Sequence, residues 1–93
     1  MTAKEKIKDV PVEVNDIDSA NERYLVLYND DIHSFDYVIE SLIHTCDHDP
    51  EQAVQCTMLV HFKGKCDVKK GSFHYLSPMK KALNSRQLEA TID

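Results

Sequence analysis

The sequence predicts a small α+β sandwich: β-α-α-β-α-β order, a three-stranded antiparallel sheet packed on helices, and a flexible N-terminal arm in front. Three observations carry that prediction. Tyr24-Leu25-Val26-Leu27-Tyr28 is a β-prone run stopped by Asn29-Asp30-Asp31. Phe35, Val38, Ile39, Leu42, Ile43 and Cys46 fall at i, i+3, i+4, i+7, i+8 and i+11, the single stripe of an amphipathic helix. Asp49-Pro50-Glu51-Gln52 opens a second helix that Gly64 closes.

Taken in order, residues 1–21 alternate charges with isolated valines and carry no aromatic residue, the composition of a mobile extension. Within them Val10, Val12 and Val14 alternate as a weak edge strand does. Residues 22–93 then form the core domain. Its first strand is Tyr24–Tyr28. Ser34 is placed to cap the first helix, and Asp36 in the first turn suits the helix dipole. In the second helix Asp49 caps, Pro50 fits the first helical position, and Gln52 completes a capping box. That helix is expected to run to Phe62. A strand is predicted over Lys65–Val68, followed by a turn at Lys69-Lys70-Gly71. Residues Ser72–Asn84 read as an interrupted helix, because Pro78 cannot donate a backbone bond; Ser77 would cap a restart there. Leu88, Ala90 and Ile92 alternate with polar residues and predict a half-buried last strand.

Size and charge restrict the function. Ninety-three residues allow one domain with a modest core. Sixteen acidic against eleven basic residues leave net charge −5, which argues against nucleic acid or an anionic membrane as partner. No apolar run is long enough to span a bilayer, and the N-terminus has no apolar signal region. Three cysteines, an odd number, fit reduced thiols in a cytoplasmic protein rather than a disulfide framework.

Two blocks carry a recognisable pattern. The stretch from Tyr24 through Asn29-Asp30-Asp31 to Val38, and the block Glu51–Lys65 ending Val60-His61-Phe62-Lys63-Gly64-Lys65, together resemble the ClpS family of Clp-protease adaptors. Similarity is good over residues 23–68 and looser at Leu88–Ile92. The resemblance implies an adaptor, not an enzyme. Such a protein binds substrates through an N-terminal Leu, Phe, Tyr or Trp and delivers them to a Clp AAA+ unfoldase (ClpA- or ClpC-like) with its ClpP-type protease. It implies a monomer that needs no cofactor or metal.

The chemistry that the resemblance implies can be stated in terms of these residues. An α-ammonium has three donors and needs convergent acceptors. Asn29 offers an amide oxygen, Asp31 a carboxylate, directly or through water, and neutral His61 a ring nitrogen, while Asp30 is assigned to orienting the loop. Charge-assisted bonds of this kind contribute about 1.5–3 kcal/mol each. Acidification through the histidine range, about 6.5 for a free side chain, turns such an acceptor into a donor and is expected to weaken binding. The resemblance maps a side-chain pocket onto Leu27, Phe35, Val38, Thr57, Val60 and Leu88, a second-residue contact onto His33, and unfoldase docking onto Lys80. The arm is then the segment an unfoldase engages.

The chain departs from the family pattern at two places. His33-Ser34-Phe35 stands where many members have Thr-Pro-Met, and Thr57 where many have Met. The family's Met gate against β-branched side chains is therefore Phe35 here, and the two changes are expected to offset each other in volume.

Two other classes compete. A generic interaction domain of this topology, like the C-terminal domain of the ribosomal stalk protein, would not depend on a free α-amine. A Cys/His metal domain draws on Cys46, Cys56 and Cys66 and on the i, i+4 pair His44/His48, although no Cys-x-x-Cys knuckle is present. A hydrolase is disfavoured, since no motif holds a nucleophile and the chain has only two glycines.

Overall fold

The computed structural model describes residues 21–93. The expected arm and the alternating valines at 10, 12 and 14 fall on residues 1–20, outside the described residues. The chain runs β1 (Arg23–Tyr28), α1 (Phe35–Cys46), α2 (Pro50–Lys63), β2 (Lys65–Gly71), α3 (Phe73–Ser85) and β3 (Ala90–Ile92). The sheet order is β2-β1-β3, and both pairings are antiparallel. The apolar run Leu25-Val26-Leu27 is thus the central strand, paired on both sides and no more than 2% exposed. Leu25 and Leu27 share one face by the two-residue period of a strand. They join Leu42, Cys46, Val60, Leu76 and Leu83 in the core between sheet and helices.

The helices begin and end where the sequence signals them. Ser34 accepts from the Tyr37 amide and Asp49 from the Gln52 amide. Pro50 takes the first turn of α2, where its missing N–H has no helical partner to lose. Gly64 closes α2 with φ 92°, a left-handed conformation that suits glycine.

Two expectations needed correction. The segment Lys69-Lys70-Gly71 is not a turn; it continues β2 along β1 as far as the first residue of that strand, where Gly71 pairs with Arg23. A bulge between Leu25/Lys69 and Val26/Asp67 inserts Val68 as an extra residue, which breaks the two-residue period that sequence reading relies on. Val68 is buried, and its carbonyl accepts from His48 Nε2 at 2.6 Å. The lysines lie on the outer strand, where charge discourages pairing with another sheet. The helix over residues 73–85 is continuous, with Pro78 inside it and Ser72 rather than Ser77 as the cap. Pro78 and His74, four residues before it, are both exposed, so water can satisfy the carbonyl that proline leaves free. Leu76 and Leu83, both fully buried, fasten α3 on either side of the interruption.

Candidate functional site

The end of β1 and the end of α2 are joined by backbone. Tyr28 pairs with Lys65, the Asn29 amide donates to the Gly64 carbonyl at 2.9 Å, and the Gly64 amide donates to the Val60 carbonyl at 2.9 Å. This ties Asn29 to the last turn of α2, which carries His61. The left-handed glycine turns the chain so that two sequence-distant polar residues border the same cavity.

Between β1 and α1 the loop is shaped by Asp30. Its Oδ1 accepts from the amides of Ile32 at 2.8 Å and His33 at 2.9 Å, and its Oδ2 lies 2.9 Å from His33 Nδ1. Partial burial raises the pKa of this carboxyl, but the His33 amide, the His33 ring and the Ile32 amide outweigh it and hold the group below its usual range. Its neighbours are different. Asn29, Asp31 and His61 are exposed, and their side chains make no hydrogen bond or ion pair with the other described residues. The His61 ring is held edge-on against Phe35 and Phe62, each with centroids 5.0 Å away.

These groups border one cavity of about 260 Å³. Asn29, Asp30, Asp31, His33 and His61 form its polar side. Leu27, Phe35, Val38, Thr57, Val60 and Leu88 form the rest, so all the expected amine and pocket residues, as well as His33, come together there. Leu27, Val38, Thr57, Val60 and Leu88 are buried. Leu88 arrives by way of a turn at Arg86-Gln87, where Gln87 takes φ 70°. The Thr57 hydroxyl donates to the Ala53 carbonyl at 2.8 Å, so its proton is already committed to the helix. Phe35 remains 41% exposed, so its ring stands at the mouth against His61.

Tyr28 and Ser34 also line the cavity and were not anticipated. Tyr28 reads as the last residue of a strand and Ser34 as a helix cap; only adjacency to Asn29 and Phe35 signals them. Lys80 lies on α3, half-buried, and is not part of the cavity lining.

The histidine pair of the metal reading separates. α1 ends at Cys46 with Asp47 left-handed, so His48 is off the helix and buried against Val68, while His44 is exposed. Among the described residues no group of three or more His, Cys, Asp or Glu is arranged to hold a metal ion. All three cysteines are free thiols. Burial raises the pKa of Cys46 and Cys56; at Cys66 burial and then the nearby Cys56 push it up to about 12. Among the described residues no helix is long and apolar enough to cross a membrane.

Comparison with known proteins bears on this geometry. The chain is 36% identical over 86 residues to the E3 ubiquitin-protein ligase UBR1 of Homo sapiens, and equally to that of Mus musculus. Each match covers 91% of this chain but only 5% of the relative, so the chain spans a small part of those ligases. The structure of Agrobacterium tumefaciens ClpS2 bound to L-phenylalaninamide superposes with a TM-score of 0.70, covering 77% of this chain and 94% of that one. At 18% identity that likeness establishes the fold. Residues 18–91 match the family described as ATP-dependent Clp protease adaptor protein ClpS. The chain belongs to the ClpS family of protease adaptors.

Proposed function

We propose that this domain recognises proteins by a free N-terminus followed by a bulky apolar side chain, Leu, Phe, Tyr or Trp, and tethers them to degradation machinery. The observation that carries this reading is the union of three polar side chains, Asn29, Asp31 and His61, that make no hydrogen bond or ion pair among the described residues, with buried apolar walls around one small cavity. Asn29 and Asp31 present acceptors, His61 presents one when neutral, and an α-ammonium supplies donors only. The cavity volume of about 260 Å³ lies below the roughly 300–1,000 Å³ of sites for drug-sized ligands, so it suits one side chain. L-Phenylalaninamide, the ligand of the Agrobacterium tumefaciens protein, combines a free α-amine with a bulky aromatic side chain. Burying a Leu or Phe side chain contributes about 1.5–3 kcal/mol. With the charge-assisted bonds, and after association costs, micromolar affinity is expected.

The downstream partner in this reading is a Clp AAA+ unfoldase of the ClpA or ClpC type with its ClpP-type protease. The adaptor works as a cytoplasmic monomer without catalysis or cofactor of its own, and Lys80 on α3 touches the unfoldase. The resemblance to UBR1 supports a second reading of that last step alone, in which the same pocket presents substrates for ubiquitin transfer.

The test is fluorescence anisotropy with peptides beginning Phe, Leu, Val or Gly, each free and N-acetylated. Micromolar binding of free Phe and Leu, lost on acetylation and absent for Val and Gly, is the expected result. Binding indifferent to acetylation returns the domain to a generic interaction module. Lys80→Glu is expected to leave peptide affinity unchanged and to reduce capture by a ClpA- or ClpC-type unfoldase. Equal capture removes Lys80 from the docking surface.

A further inference from the structure

The loop between β1 and α1 has little to hold it. Ile32 is 85% exposed, and among the described residues the Asn29 and Asp31 side chains make no hydrogen bond or ion pair. Asp30, which accepts from the Ile32 and His33 amides, and His33 are the exceptions. The His33 side chain is only 15% exposed, its Nδ1 meets Asp30 Oδ2 at 2.9 Å, and its ring lies flat on Tyr37 with centroids 4.9 Å apart and an interplanar angle of 15°. Tyr37 is itself fixed at its far end, because its hydroxyl donates to the Arg86 carbonyl at 2.8 Å. Arg86 Nη1 donates in turn to Ser41 Oγ at 3.2 Å, and Ser41 Oγ donates to the Tyr37 carbonyl at 2.7 Å. The result is a continuous run from the loop, through His33 and Tyr37, to the turn that delivers Leu88 to the cavity.

We infer that His33 is a positioning residue for N-terminus recognition, holding Asp30 and so fixing Asn29 and Asp31 relative to the pocket wall at Leu88. The inference rests on the proposed reading of the cavity as an N-terminus site, and it differs from the role expected from the sequence, a contact with the substrate's second residue. The physical reason is local. Asp30 Oδ1 accepts from the Ile32 and His33 amides, so the turn spanning Asp31 keeps its shape only while the Asp30 carboxylate stays in place. His33 Nδ1 holds the other oxygen of that carboxylate, and Tyr37 keeps the imidazole from swinging away.

The experiment measures affinity of the full chain for peptides that begin with Phe and carry Gly, Ala, Leu or Lys second. The proteins are the wild type, His33→Ala, His33→Asn, Asp30→Ala and the Asp30→Ala/His33→Ala double variant. His33→Ala is expected to lower affinity about five- to tenfold, by the same factor for every second residue. His33→Asn recovers most of it, because the asparagine amide N–H stands where Nδ1–H stood. In the Asp30→Ala background, His33→Ala adds nothing further. A loss that vanishes when the second residue is Gly overturns the inference in favour of direct substrate contact. Additive losses from the two alanine variants overturn it as well, as does no loss at all.

A ligand-free readout keeps the two levels apart. In His33→Ala the Ile32 amide, which Asp30 holds, is expected to exchange its hydrogen faster while core amides in β1 do not. Unchanged exchange at Ile32 overturns the positioning role even if peptide recognition fails. Wild-type binding insensitive to N-acetylation instead overturns the reading of the cavity and leaves the exchange result to judge His33.

Discussion

Two loops of this domain are built from the same residue types and end in opposite states. The β1–α1 loop holds Asn29, Asp30, Asp31 and His33; the α1–α2 turn holds Asp47, His48 and Asp49. In the second, the Asp47 amide caps α1 through the Leu42 carbonyl, Asp49 accepts from the Gln52 amide, and His48 is buried with Nε2 on the Val68 carbonyl. The His48 and Asp49 side chains thus close on the protein's own backbone. In the first, Asp30 accepts from the Ile32 and His33 amides and its other oxygen meets the His33 ring, while the Asn29 and Asp31 side chains line a cavity and make no hydrogen bond or ion pair among the described residues. The difference comes from what each loop adjoins. The α1–α2 turn leads into a helix whose first amides lack partners, and beside it a bulge frees a carbonyl. The β1–α1 loop follows a strand whose exit amide is already taken by Gly64. In the proposed reading, a polar loop is left open for a ligand where neighbouring backbone has no further demand on it.

That contrast can be broken most directly by removing the free acceptors. Asn29→Ala with His61→Ala is expected to cost about 3–6 kcal/mol of binding to a Phe-first peptide, a loss of a hundredfold or more. Stability should change by less than about 0.5 kcal/mol per site, because both residues are exposed. Denaturant unfolding beside anisotropy checks both halves, and a large loss of stability would erase the distinction between the loops.

His48→Ala is the mirror test. It leaves a void and an unpaired Val68 carbonyl, and is expected to destabilise the fold by about 2–4 kcal/mol in urea unfolding. The folded fraction should still discriminate free from acetylated peptides. Loss of that discrimination would show that the two loops are energetically one site.

Thr57→Met sharpens the apolar side. Thr57 is buried at the cavity, and the added volume is expected to cost Trp- or Phe-first peptides about 1–3 kcal/mol and Leu-first peptides less. An unchanged ranking of first residues in competition titrations argues against Phe35 and Thr57 dividing the pocket between them.

The smallest effect concerns Asp30. Its folded pKa is lowered from 3.8, so its contribution to stability is complete above that value and disappears as pH falls through the folded value. The stability gap between wild type and Asp30→Asn is therefore expected to be constant near neutrality and to close in the acid limb of a urea-unfolding series. A gap that widens on acidification contradicts the assigned hydrogen bonds.

Much of this was legible in the chain. Ser34, Asp49, Pro50 and Gly64 mark helix ends by local chemistry, so α1 and α2 were readable to within a residue. The stripe through Leu42 and Cys46 marks what is buried, and both are fully so. The errors lie where a local rule met a distant partner. Lys69–Gly71 reads as a turn until β1 offers a strand to pair with, and Pro78 reads as a break until Leu76 and Leu83 anchor α3 across it.

The site divides in the same way. Sequence alone determined which residue types stand at the end of β1 and along α2, since strand and helix periods and the family pattern are properties of neighbours in the chain. It did not determine that, among the described residues, Asn29 and Asp31 make no side-chain hydrogen bond while Asp30 and His33 pair, nor that the run continues through Tyr37 to Arg86 and the turn before Leu88. Tertiary structure decided those points. A hydrogen-bonding side chain takes whichever partner lies within about 3 Å, and that depends on where the Gly64 turn and the Arg86-Gln87 turn place backbone from far along the chain.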